Sequence, residues 1–179
     1  YITFQIASGL LLFVGIVLFY RDTGSVSFRH MELDSLATWL IFLAFGIKCA
    51  FPLMHNWLQD SYPAATPTGT LTLSVFTTKL AIYALVRGFA GTELLIYLGA
   101  IMTIFPVFFA AIENNLRRVL SYSLNNQLGF MVVGIGIGTP LALDGTIAHA
   151  FTNVIFEGLL FMTVGAVMYR TGTSKASDL

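Results

Sequence analysis

Apolar residues run along this chain in long unbroken blocks. They neither alternate with period two nor keep to one stripe of a helix. Six blocks, residues 2–20, 36–54, 67–89, 93–112, 118–137 and 143–170, reach or approach the roughly 20 residues that a helix rising about 1.5 Å per residue needs to cross about 30 Å of hydrocarbon. The pattern predicts an all-α polytopic bundle of about six transmembrane helices, with residues 1–179 forming one partial domain. Barrel strands are excluded, because the blocks are too long and do not alternate. Short polar punctuation at 21–25, 88–92, 114–115 and 138–140 supplies the Gly, Pro or Asn that tight connections favour. The connection 56–67 is longer, and with His55-Asn56-Trp57-Leu58-Gln59-Asp60-Ser61-Tyr62 it mixes aromatic and polar side chains, as re-entrant or interfacial segments do.

Composition agrees. Hydrophobic residues make up 56% and charged residues 10%, against about 45–50% and about 25% in soluble domains. Nine Lys and Arg balance nine Asp and Glu, so no basic field invites nucleic acid, and the expected surroundings are lipid bilayer. The single Cys49 lies in an apolar run and gives neither a disulfide framework nor a metal cluster. No phosphate loop, Cys-x-x-Cys, Gly-x-Ser-x-Gly or His pair at metal-binding spacing occurs, so no cofactor is expected and no bond-making chemistry within this chain. The chain opens on Tyr1 without a basic leader and stops at Ser177-Asp178-Leu179, and both ends read as truncations. Alternation of the spans puts Arg117, Arg118, Arg170 and Lys175 on one side and Arg21, Arg29 and Arg87 on the other, which by the positive-inside rule makes the first side cytoplasmic by a margin of one.

Three charged residues lie well inside the spans, away from their ends: Lys48, Lys79 and Glu157, with His149 two turns before Glu157. Each charge at a helix centre costs about 2.5–3.5 kcal/mol unless paired or hydrated. Lys48 is roughly 9 Å from the end of its span and within snorkelling range, whereas Lys79 is roughly 14 Å from either end, beyond a lysine's reach. Pro52 removes the donor that would serve the Lys48 carbonyl, and with Gly46 it predicts a helix broken beside that lysine; an ordinary proline kink is the alternative. His149, Asn153 and Glu157 are spaced i, i+4, i+8 and stack on one helix face. That stripe reads as facing the bundle interior or water; helix-to-helix hydrogen bonding is the plainer use of its histidine. Along the helix rise Lys48, Lys79, His149 and Glu157 sit at roughly 18, 15, 9 and 21 Å from one face, a row near the midplane. Amine, imidazole and carboxyl groups can all pass protons without a cofactor. His30 and His55 fall in connections and suit solvated or interfacial roles.

The stretch Lys48-x3-Pro52-Leu53-Met54-His55-Asn56-Trp57-Leu58-Gln59-Asp60, then Ala65-Thr66-Pro67-Thr68 and Thr77-Thr78-Lys79-Leu80-Ala81-Ile82-Tyr83-Ala84-Leu85-Val86-Arg87, resembles the proton-conducting membrane subunits shared by respiratory complex I and multisubunit cation/proton antiporters. Leu116-Arg117-Arg118-Val119-Leu120-Ser121-Tyr122-Ser123-Leu124-Asn125-Asn126-Gln127-Leu128-Gly129-Phe130-Met131 and His149 through Phe161 resemble the same family. The resemblance implies part of an inverted-repeat transporter fold in which Lys48 is the switching residue, Lys79 connects laterally and His149 continues the relay, with Pro52, His55, Asp60 and Asn153 in support. Two positions depart from it: Asn153 stands where many members have histidine, and Glu157 where many have lysine. The expected function is proton or sodium/proton translocation as an antiporter-like subunit among other membrane subunits of a hetero-oligomeric complex, in the bacterial inner membrane. The alternatives are a proton-pumping subunit of NADH–quinone oxidoreductase or a membrane-bound hydrogenase, and a scaffold with incidental polar residues.

Overall fold

A computed structural model describes residues 1–179. Its helices are α1 (Ile2–Thr23), α2 (Leu36–Lys48), α3 (Asn56–Ala64), α4 (Pro67–Thr72), α5 (Thr78–Phe89), α6 (Leu94–Ile112), α7 (Leu116–Ile137) and α8 (Pro140–Thr171). A π-helical turn, Leu73–Thr77, joins α4 to α5 without a break, so the two form one span, Pro67–Phe89. Ile2–Thr23, Pro67–Phe89, Leu94–Ile112 and Pro140–Thr171 are long and apolar enough to cross a membrane, Leu36–Lys48 is a shorter apolar helix, and the short helix α3 lies between α2 and α4.

Local chemistry sets the helix starts. Ser35 and Thr38 form a reciprocal capping box on α2. Thr66 and Thr139 each cap a helix that opens on proline, whose missing N–H costs nothing in the first turn. The Thr139-Pro140 start puts the beginning of α8 three residues ahead of the hydropathy boundary.

The second span differs most from expectation. Instead of running to residue 54, helix α2 ends at Lys48, and Pro52 lies beyond the break rather than causing it. Ala50 is left-handed (φ 59°), the Phe51 N–H donates to the Gly46 carbonyl at 3.0 Å and the Ala50 N–H to the Ile47 carbonyl at 3.2 Å. This is the double bond of a Schellman termination, made with alanine where glycine is usual. Its hydrophobic contact is the Phe51 ring lying over Gly46, where a Cβ would meet the ring at 2.5 Å. Phe51 then joins Phe42 and Phe89 in the core, with Phe42 5.6 Å and 5.2 Å from the two rings.

Helices α6 and α7 approach closely along their length. A Cβ on Gly129 would fall 2.6 Å from the Thr103 nitrogen, and one on Gly99 2.7 Å from the Val133 nitrogen. Small residues permit this approach, which lipid-embedded helices use in place of a hydrophobic driving force. Gly129→Val, which must push backbone aside, is expected to cost about 1–3 kcal/mol, read as a lower melting temperature in detergent.

Helix α1 buries only Ser8 and Gly15. Phe108, Ile112, Phe151, Leu159 and Met162 are likewise exposed. Such a surface is that of an integral membrane protein spanning the bilayer several times. At one end of the bundle Leu116 and Ala176 bond with Ser174 and Asn114; at the other Gly91 bonds to Ile135 and Met31 to Gly88. Arg117, Arg118 and Lys175 therefore share one end and Arg87 lies at the other, as alternation predicted.

Candidate functional site

Lys48 is the last residue of α2, and its ammonium donates to Oε1 of Gln5 on α1 at 2.7 Å. The half-buried side chain faces an open cleft of about 420 Å³ lined by Tyr1, Gln5, Phe45, Thr77, Leu80 and Ala81 among others. The indole N–H of Trp57 holds the adjacent Ile47 carbonyl at 2.9 Å, which ties α3 to the break. His55 packs edge-on against Phe105 with ring centres 4.8 Å apart, and its Nδ1 is buried without a partner. Asp60 is exposed and pairs with Arg118 at 3.3 Å, apart from the interior charges.

Lys79 stands in the first turn of α5, and its ammonium donates to the Ser74 carbonyl in the π turn at 2.9 Å. Glu157 and His149, both on α8, and Cys49 after the α2 break lie within electrostatic reach of that ammonium. No carboxylate approaches either lysine within 4.0 Å. Lys79 and Glu157 thus lie within electrostatic reach of one another but form no salt bridge.

On α8 the stripe faces inward as the spacing predicted. Asn153 and Glu157 are fully buried and His149 is half-buried against Phe130, with ring centres 6.4 Å apart. Ser123 of α7 donates to one Glu157 oxygen at a long 3.5 Å, and the other oxygen has no partner. The Asn153 amide lies beside the carboxyl with both polar atoms free of a normally shaped hydrogen bond. His149 Nε2, Thr78 Oγ1, Asn125 Oδ1 and both amide atoms of Gln59 are also buried and free. Folded interiors satisfy nearly all such groups with protein or water. Their concentration on α3, α5, α7 and α8 marks a polar seam that can hold exchangeable partners.

Sequence reasoning did not single out the buried polar face of α7, which contributes Asn125 to this seam. Arg117, Ser121 and Asn125 on α7 are all buried and repeat the spacing i, i+4, i+8 of the α8 stripe. The signal was available, but it lies among so many polar residues at 114–127 that it did not stand out.

The model of the family described as NADH:quinone oxidoreductase/Mrp antiporter, transmembrane, matches residues 1–178. The chain belongs to this family. Among its curated relatives in the oxidoreductase/Mrp antiporter family, the D subunit of a Na(+)/H(+) antiporter from Bacillus subtilis is 26% identical over 98% of the chain and 39% of the relative. The N subunit of an NADH-quinone oxidoreductase from Desulforudis audaxviator is 30% identical over 99% of the chain and 40% of the relative. A chain in the structure of the Mrp complex from Dietzia sp. DQ12-45-1b superposes with a TM-score of 0.86 at 27% identity, covering 93% of this chain and 34% of that one. The chain spans about two fifths of the length of the curated relatives it matches.

Proposed function

We propose that the full-length protein moves protons, with sodium as the candidate counter-ion, across a bacterial inner membrane as an antiporter-like subunit working among other membrane subunits. In this reading Lys48, Lys79, His149 and Glu157 form the relay, with Pro52, His55, Asp60 and Asn153 in support. The observation that carries it is Lys79 lying within electrostatic reach of Glu157 and His149 from another helix, with no ion pair locking it and its ammonium held by a backbone carbonyl alone. Proton transfer needs donors and acceptors that meet directly or through one water, and a fixed salt bridge would trap the charge. Four titratable groups on three helices, Glu157 fully buried and Lys48, Lys79 and His149 half-buried, would supply such steps, and ionisable residues inside membrane spans normally serve function.

A second reading rests on the 30% identity to an oxidoreductase subunit: the same relay is driven by redox chemistry in partner subunits. Reconstituting the full-length protein with its partners into vesicles carrying a pH-sensitive dye separates the two. Antiport predicts that added sodium collapses an imposed pH gradient; the redox reading predicts proton uptake only when a reductant and quinone are supplied. Vesicles inert under both conditions would overturn the proposal.

A further inference from the structure

Arg117 sits in the first turn of α7 and only 5% of its surface is exposed, yet no carboxylate pairs with it. Its guanidinium instead donates to three carbonyls, those of Pro63 at 2.8 Å, Tyr62 at 3.1 Å and Thr66 at 3.4 Å, and to the Thr70 hydroxyl. The first two carbonyls belong to the last turn of α3, where helical partners run out. The network continues inward. Thr70 Oγ1 donates to the Tyr62 carbonyl at 2.7 Å, and the Tyr62 hydroxyl reaches past α4 to donate to the Leu73 carbonyl at 2.9 Å. Leu73 opens the π turn, and the next carbonyl, Ser74, holds the Lys79 ammonium. Arg117, Tyr62 and Thr70 thus connect the membrane-end connection to the turn that seats Lys79, by hydrogen bonds through buried side chains.

We propose that Arg117 and Tyr62 are positioning residues that fix the π turn and thereby the place of the Lys79 ammonium between Ser74 and Glu157. The inference rests on the translocation reading above. A buried Arg with only neutral partners is expensive, and a planar fork that spans several carbonyls at once is what lysine cannot copy. π turns within α-helices concentrate at functional sites, and this one is braced at its first residue.

The test uses the full-length protein in vesicles and measures the pH–rate profile of proton transport. The groups facing Lys79 are Glu157 and His149 from α8 and Cys49 after α2, and none of them is altered. Tyr62→Phe removes one hydroxyl and keeps the ring between Trp57 and Phe161. It is expected to lower the maximal rate roughly threefold to tenfold and to move the profile's midpoint by at least about half a pH unit, at wild-type protein levels. Arg117→Lys should do the same or worse. Asn126→Ala, which removes the bond from α7 to the Thr103 carbonyl of α6, should leave the midpoint in place. If Tyr62→Phe keeps the wild-type profile while Lys79→Ala is inactive, the positioning role fails and the relay stands. If Lys79→Ala transports normally, the relay itself fails.

Discussion

Replacing Lys79 by alanine in the full-length protein is expected to slow coupled ion transport by roughly a hundredfold or more, about 2.7 kcal/mol of barrier, while insertion and assembly persist. Lys79 is a cation that three separate elements address: the π turn through the Ser74 carbonyl, α8 through Glu157 and His149, and the α2 break through Cys49. Removing it leaves no exchangeable group on the span Pro67–Phe89 to hand charge from one part of the seam to another. Lys79→Arg sharpens the test, because guanidinium keeps the charge but does not release its proton at any working pH. If Lys79 acts only as a fixed charge, the arginine variant should transport well; if it exchanges protons, that variant should be as slow as alanine. Lys48→Ala should share the alanine outcome, since Lys48 is the ionisable group at the other break and faces its own cleft. Proton flux followed with a pH-sensitive dye in vesicles, set against the amount of assembled complex, decides between these outcomes.

The spans and the inward stripe of α8 were legible because hydropathy and helical period are local properties. The end of α2 was only half legible. Pro52 pointed to a break beside Lys48, but the termination is made by a left-handed Ala50 and a Phe51 ring seated on Gly46, and both depend on core packing that alanine and phenylalanine do not announce. The π turn was invisible for a similar reason: Leu73-Ser74-Val75-Phe76-Thr77 has no glycine or proline, and the wider turn is stabilised from outside by the Tyr62 hydroxyl. Arg117 entered the sequence reading only as one of the basic residues on one side of the spans. Its burial follows from tertiary structure, since the carbonyls it satisfies become free only where α3 ends against α7. Asp60 shows the converse, a motif residue that folding leaves at the surface with Arg118.

Glu157→Lys, the substitution that installs the residue the family resemblance leads one to expect, should abolish transport more completely than Glu157→Gln. Glu157 is fully buried and lies within electrostatic reach of the Lys79 cation. A lysine there would set two ammonium groups against each other in a poorly hydrated interior, where like charges repel several times more strongly than in water. Glutamine removes the attraction without adding repulsion, and the free Asn153 amide and Ser123 hydroxyl can still bond to it. Its loss should therefore be in rate more than in assembly. The decisive variant is the exchange, Lys79→Glu with Glu157→Lys, compared with each single change. If the two side chains work as a pair, the exchange should assemble better than either single variant, with a coupling energy of about 0.5–3 kcal/mol, the range for residues that share a network. Additive losses would mean that the two charges act independently, and the relay would then have to pass Glu157 through His149 and Asn153 along α8 alone.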